Sequence, residues 1–282
     1  RIAAASPSPG AAPDAGKAAS TTRCSELKIS MDQPPVEHLF LITGTTRGIG
    51  KALAASALAL ANSFVVSLSR AAPFLWDNRQ NIRIDLNDID RIGTAFKRIR
   101  IDRQQTNRLT HTVLINNAGV LDPIAPIGDC DDTLLARNIQ VNLTAPLILA
   151  RHFFHFSRPL PGHKWIVNIT SGASRSPYYG WSAYGAAKAG LDMATRAMAM
   201  EFSRIDATFA ICAVAPGTVD TAMQAKIRNC SVQQFEQVDK FLKLKDNGAL
   251  HPPERAATAL IRLLMNGRFK NGGRYDLREM GG

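Results

Sequence analysis

The segment His38-Leu39-Phe40-Leu41-Ile42-Thr43-Gly44-Thr45-Thr46-Arg47-Gly48-Ile49-Gly50-Lys51-Ala52-Leu53 decides the fold. Residues 38–43 read as a short apolar strand, and residues 49–60, dominated by alanine and leucine, read as a helix. Between them the glycines are spaced G-x-x-x-G-x-G. Without side chains they let backbone amides close on a pyrophosphate at the positive end of the helix. The spacing is not the G-x-G-x-x-G of the common dinucleotide fingerprint, and a purely structural turn would look the same.

Working outward, the same alternation repeats. Strands are expected at 64–69, 82–86, 112–116, 164–169, 208–214 and 274–277. Helices are expected at 88–103, at 131–156 with a mild interruption by Pro146, and from Tyr184 to about residue 202. Strands alternating with helices of this length imply an α/β fold, a single Rossmann-type doubly wound parallel sheet with helices on both faces, over residues 37–282. Ligands of such sheets bind at the carboxyl ends of the strands. Residues 1–36 are rich in Ala, Ser, Pro and Gly without apolar periodicity and read as a disordered tail. Its scarcity of acids would suit a transit peptide. Against that stand the lack of an apolar signal core and Met31, a candidate working start just before the first strand.

With 282 residues, 45% of them hydrophobic, the chain can bury a full core. The formal charge of +11 raises the question of nucleic acid. The basic residues are scattered among acids, as Arg98, Arg100, Arg103 and Arg108 are among Asp85, Asp88, Asp90 and Asp102, and no nucleic-acid module accompanies them. No nucleic-acid partner is expected. No apolar run is long enough to span a bilayer, so no membrane association is expected either. Cys24, Cys130, Cys212 and Cys230 form no Cys-x-x-Cys or Cys/His cluster. That argues against a metal site and for reduced thiols in a cytoplasmic protein.

The end of the second strand reads Ser67-Leu68-Ser69-Arg70, with no carboxylate to accept from a ribose 2′-hydroxyl. Arg70 and Arg47 together could instead neutralise a 2′-phosphate, with Ser69 donating a further hydrogen bond, which favours NADP(H). A solvated arginine at a loop entrance is the plainer account of Arg70. Asp85-Leu86 ends the third strand where an adenine could lie, although an aspartate there is often only a helix cap.

In Ser182-Ala183-Tyr184-Gly185-Ala186-Ala187-Lys188 a helix puts Tyr184 and Lys188 on one face, with Ser171 thirteen residues before the tyrosine. An ammonium beside a phenol, with a serine hydroxyl on the oxygen to be protonated, is carbonyl chemistry. By itself Tyr-x-x-x-Lys is common on helices. A cation about 4 Å away at an effective dielectric of ~20 is worth roughly 4 kcal/mol, on the order of three pKa units. Lys188 is therefore expected to bring the phenol near the working pH.

Taken together, residues 43–50, Asn116-Asn117-Ala118-Gly119, Asn142, Ser171, Tyr184, Lys188 and Pro216-Gly217-Thr218-Val219-Asp220-Thr221 resemble the short-chain dehydrogenase/reductase family in order and spacing, from about residue 38 onward. Residues 114–120, Asn142-Leu143-Thr144-Ala145-Pro146 and residues 180–193 are similar to its sepiapterin reductase and bacterial benzil reductase branch.

The resemblance implies hydride transfer to a ketone carbon, with Tyr184 as proton donor, Ser171 polarising the carbonyl, Lys188 assisting the tyrosine and Asn142 holding a water next to Lys188. A helix-interior asparagine bonded to backbone is the alternative for Asn142, and Asn138 competes for the role. It also implies cofactor contacts from Asn117, Ala118 and Gly119, and from Pro216, Gly217, Val219 and Thr221 at the nicotinamide. Met223, in the expected substrate lid at 222–245, would face the pocket. Asp276 falls where sepiapterin reductases place a substrate-anchoring aspartate. Tyr178, Tyr179 and Trp181 could stack on an aryl ketone, and core packing explains them nearly as well. The expected substrate is a small aromatic or bicyclic ketone or 1,2-diketone, with acyl-chain or sterol-like ketones, or non-catalytic NADP binding, as alternatives. The family's habit of pairing its long helices implies a homodimer or homotetramer.

Overall fold

A computed structural model describes residues 35–71, 79–267 and 269–279. Most of the expected tail, with Cys24 and the candidate start Met31, lies outside the described residues. Val36, at the expected boundary, is buried, and its N–H donates to the carbonyl of Gln105 at 3.3 Å.

Seven parallel strands form one sheet in the order β3-β2-β1-β4-β5-β6-β7. They are β1 His38–Thr43, β2 Ser63–Ser69, β3 Arg79–Arg83, β4 His111–Asn116, β5 His163–Ile169, β6 Phe209–Ala215 and β7 Arg274–Asp276. The helices are α1 Gly48–Leu58, α2 Arg91–Lys97, α3 Arg103–Thr106, α4 Asp132–Ile139, α5 Ala145–Ser157, α6 Ser182–Ile205, α7 Ala222–Arg228, α8 Val238–Asp246 and α9 Pro253–Met265.

Both faces of the sheet are covered, so its central strands β1, β4, β5 and β6 are largely apolar. In β1, Leu39 and Leu41 join Leu149, Phe153 and Met198 of α5 and α6 on one face. Phe40 and Ile42 join Leu53 of α1 and Leu260, Ile261 and Leu264 of α9 on the other. This is the alternation that a strand imposes. The strand order reverses at β1, and a crevice therefore opens between the carboxyl ends of β1 and β4.

Three elements depart from the sequence expectation for identifiable reasons. β3 lies at Arg79–Arg83 rather than 82–86, because its partner β2 ends at Ser69, opposite Arg83. Ile84 and Leu86 are nevertheless buried, which is what their apolar pattern reported. The expected helix 88–103 is cut short at Lys97 and resumes only as α3. There the side chain of Gln80 in β3 donates to the carbonyl of Arg98 at 2.7 Å and accepts from the N–H of Arg100 at 2.9 Å, which engages groups a continuing helix would use. The helix expected at 131–156 is α4 and α5 joined by a π-helical turn, Gln140–Thr144. Pro146, in the first turn of α5, has no N–H to give the preceding turn, and the wider turn accommodates that.

Far from the crevice, His38, His111 and His163 start β1, β4 and β5 in register, with the His111 ring tilted against His38 at 5.2 Å and stacked on His163 at 5.8 Å between centroids. Burial, then the neighbouring His38 and His163, hold the His111 pKa down at about 4. Its folded value lies below the unfolded one, so its stabilisation is complete above about pH 6.5 and is lost as pH falls toward 4. The expected acid loss at this site is about 1–2 kcal/mol after allowing for solvent screening of a half-buried ring. Thermal melts at pH 7 and pH 4.5 should show a smaller difference for His111→Gln than for the wild type. An equal difference would show that this cluster is not the acid-labile site.

Candidate active site

The glycine loop adopts the form its sequence permits. Gly44 and Gly48 take positive φ of 71° and 54°. Thr45, which sequence reading left unused, is clasped from below. Its N–H donates to Ser69 Oγ at 3.1 Å, and its hydroxyl bonds to those of Ser69 and Ser67. Ser69 is therefore buried beneath the loop rather than turned toward a 2′-phosphate, and its role is to set the loop's shape. Ser67 and Ser69, two hydroxyls at the carboxyl end of an apolar run, were the available signal.

Asn117 ties the loop to β4. Its Nδ2 donates to the carbonyls of Thr43 at 2.9 Å and Gly44 at 3.3 Å, while the N–H groups of Asn117 and Ala118 both donate to Thr43 Oγ1 at 2.9 Å. Thr46 and Ile49 line the loop as half-buried residues, with Ile49 packed toward α9. Arg47 is exposed where α1 begins. Arg70 is exposed at the end of β2, in a cavity of about 400 Å³ that Ser67, Asn81, Arg83 and Arg98 also line. Asp85 is exposed and its carboxylate accepts from the N–H of Asn87 at 3.0 Å, a turn-forming role. The Leu86 side chain sits in the core, which leaves only its backbone for a ligand.

Across the crevice, Thr221 begins α7, its hydroxyl accepting from the N–H of Gln224. Its methyl group approaches within 3.3 Å of where a Cβ on Gly48 would stand, so the segment holding Pro216, Gly217, Val219 and Thr221 closes against the glycine loop. Val219 is buried and bridges to His251. Gly119 completes the wall, since a Cβ there would come within 2.9 Å of Asn142 Oδ1 and 3.8 Å of Lys188 Nζ. Positive φ at Gly44 and Gly48, and close packing at Gly119 that leaves no room for a Cβ, make the crevice edge backbone, which fits a dinucleotide laid along it.

Ser171, Tyr184 and Lys188 converge at the end of β5. The Tyr184 phenol is buried, with the Ser171 side chain close enough to act on its pKa. Lys188 is buried, with Nζ donating to the carbonyl of Ile169 at 2.8 Å and standing 5.8 Å from the Tyr184 ring centre. The expectation that Lys188 brings the phenol near neutrality is corrected. Burial raises the Tyr184 pKa, and the Ser171 side chain only partly opposes it. The ammonium faces Ile169 rather than the phenol, and burial lowers its own pKa to about 8.

Asn142 lies in the π-helical turn, fully buried. Its Nδ2 donates to Val120 O at 2.7 Å and Asn138 Oδ1 at 2.8 Å, and its Oδ1 accepts from the N–H of Val120 at 3.1 Å. Both amide protons are thus engaged, and one Oδ1 lone pair is left for a water. Asn138 is also buried and donates to the carbonyls of Leu121 and Asp122, so the competing asparagine is its support.

Above the set, Tyr178, Trp181, Tyr184, Phe235 and Phe241 form an aromatic nest, with Trp181 stacked on Phe235 at 4.5 Å and Tyr178 5.0 Å from Trp181. Trp181 is buried, Tyr178 and Met223 are half-buried, and Tyr179 is exposed. Phe235 and Phe241, from the expected lid segment, were missed because nothing local distinguishes them from core residues. Asp276 does not stand free to anchor a ligand. It is buried and held by both guanidinium arms of Arg278, which also keep its pKa below the usual carboxylate range.

A doubly wound sheet with a glycine-lined cleft and a serine, tyrosine and lysine at its mouth defines a nucleotide-dependent oxidoreductase. The short chain dehydrogenase family model matches residues 38–231, and the chain belongs to that family. Among its relatives, the benzil reductase ((S)-benzoin forming) of Bacillus subtilis is 37% identical over 86% of this chain and 99% of its own. The sepiapterin reductase of Rattus norvegicus is 27% identical over 85% of this chain and 96% of its own. The crystal structure of the KRED1-Pglu enzyme superposes with a TM-score of 0.72 at 29% identity, covering 84% of this chain and 99% of that one.

Proposed function

We propose that the protein is an NADPH-dependent reductase of small aromatic or bicyclic ketones and 1,2-diketones. The observation that carries this reading is the convergence of half-buried Ser171 with buried Tyr184 and Lys188, between the glycine loop and the aromatic nest. The likeness to benzil reductases supports the diketone class.

In this reading Gly44, Thr46, Arg47, Gly48, Ile49 and Gly50 hold the pyrophosphate side, and Pro216, Gly217, Val219 and Thr221 hold the nicotinamide. Bound there, NADPH supplies the hydride that the carbonyl carbon accepts. Ser171 Oγ donates to the carbonyl oxygen and draws charge onto it. Tyr184, kept protonated by its burial, gives its proton to that oxygen. Lys188 as ammonium, 5.8 Å from the ring centre, then stabilises the phenolate left behind until a proton from solvent restores the phenol. Because burial sets the Lys188 pKa at about 8, the rate of reduction is expected to decline above that pH.

A panel of aryl 1,2-diketones, pterins and acyl ketones assayed with NADPH tests the substrate class, with the diketones expected to be reduced best. Preference for acyl ketones would overturn it. For the cofactor, Arg47→Ala and Arg70→Ala should each raise the KM for NADPH about 10-fold and leave that for NADH unchanged, as loss of one charge-assisted phosphate contact requires. Efficient NADH use with poor NADPH use by the wild type would sink this assignment.

The exposed Met193 and Met200, seven residues apart on α6, support a homo-oligomer formed through that helix. The free thiols of Cys130, Cys212 and Cys230 fit a cytoplasmic setting.

A further inference from the structure

Behind the catalytic set lies an ion pair that the scheme above does not use. Arg274, at the start of β7, donates from Nε to Asp192 Oδ2 at 3.0 Å and from Nη2 to the carbonyl oxygen of Ser171 at 3.1 Å. The two side chains are only 19% and 14% exposed. Asp192 stands one helical turn beyond Lys188 on α6, so the two share a face. Its other oxygen, Oδ1, is buried without a hydrogen-bond partner. A pair this buried contributes little net stability, since apolar residues of similar volume commonly do as well, and an unsatisfied carboxylate oxygen adds a cost. Its placement, not its strength, is what distinguishes it.

That placement reaches both catalytic arms. The Ser171 carbonyl is held by Arg274 Nη2, by Ser174 Oγ at 2.8 Å and by the N–H of Ser174 at 3.1 Å, which fixes the backbone from which the Ser171 hydroxyl is presented. The Lys188 ammonium hangs from Ile169, two residues earlier in the same segment. Its ionisable neighbours on α6 are Tyr184 and Asp192, with Arg274 reaching in from β7 through Asp192. The other groups against it are Gly119, Asn142 and the Ile169 carbonyl, none of which ionises.

We infer that Asp192 and Arg274 are positioning residues for the proposed reduction: Arg274 fixes the Ser171 backbone, and the Asp192 carboxylate keeps Lys188 an ammonium at working pH. This rests on the proposed function. Burial draws the lysine toward the neutral form and Asp192 opposes it, while Arg274 tempers Asp192 by pairing with it. Neutralising either partner should therefore move Lys188 in opposite directions, which a merely structural pair would not do.

The test uses full-length protein labelled with ¹³C at the lysine ε-carbons and titrated by NMR without substrate, the Lys188 signal being assigned by its loss in Lys188→Met. Asp192→Asn is expected to lower the Lys188 midpoint from about 8 by about one unit, and Arg274→Met to raise it. The alkaline limb of aryl diketone reduction should move with each. Arg274→Met should also lower kcat about 10-fold with little change in the KM for NADPH, and Arg274→Lys, which retains charge but cannot reach both acceptors, should recover part of it. Should either single variant fail to fold, Asp192→Leu with Arg274→Met supplies an apolar pair and the same readout, a lowered midpoint. An unmoved midpoint, or one that moves the same way in both single variants, overturns the inference even where diketones are reduced normally. Opposite shifts in a protein that reduces no carbonyl would instead sink the proposed function and, with it, the catalytic purpose assigned to the pair.

Discussion

Tyr184→Phe is expected to lower carbonyl reduction by about 10²- to 10⁴-fold, the range a positioned general acid supplies. Phenylalanine keeps the ring that packs edge-on to Trp181 at 5.6 Å and removes only the hydroxyl. That hydroxyl lies by the Ser171 side chain, whose Oγ keeps the N–H of Ala173 at 3.2 Å as its donor, so the stability cost should be about 1 kcal/mol. The variant should therefore bind NADPH as the wild type does, by fluorescence titration, while its turnover collapses. Undiminished reduction by Tyr184→Phe would mean that the proton comes from elsewhere and that the mechanism is wrong. The raised phenol pKa agrees with this role, because a proton donor must enter the reaction protonated.

Gly50→Ala should be nearly as damaging, through structure rather than chemistry. A Cβ at Gly50 would stand 2.1 Å from the Gly44 carbonyl oxygen and 2.4 Å from Asn117 Nδ2. Neither can give way cheaply, since Asn117 Nδ2 is bonded to the carbonyls of Thr43 and Gly44. Relief requires α1 to lift from the loop, breaking the cleft. Overpacking of this kind costs about 3 kcal/mol, or roughly 10 °C in melting temperature, and NADPH affinity should fall about 100-fold. Gly128→Ala, where a Cβ meets nothing within 4 Å, is the matched control. A Gly50→Ala protein that melts and binds like the control would show that the loop is more compliant than its packing implies.

Apolar runs separated by helical segments determined the parallel α/β sheet, because burial on both faces makes the central strands near-continuously apolar. β1 falls at His38–Thr43 as read, and α6 begins at the segment that carries Tyr184 and Lys188. The edge was less legible: β3 takes its register from β2, and no pattern within residues 79–86 encodes where a partner strand stops.

The site divides along the same line. A glycine-rich loop and a tyrosine and lysine one turn apart are written locally, so sequence alone determined where the glycine loop and the proposed proton donor stand. Only the tertiary structure decided that Ser69 faces Thr45, 24 residues away, that Asp276 is closed by Arg278, and that Arg274 reaches Ser171 across 103 residues of chain. Local physics also misjudged the phenol, since helical spacing brings Lys188 near but cannot reveal that burial raises the Tyr184 pKa. Helix and strand periods constrain neighbours a few residues apart, whereas desolvation and long-range hydrogen bonds depend on which distant segments the sheet brings together.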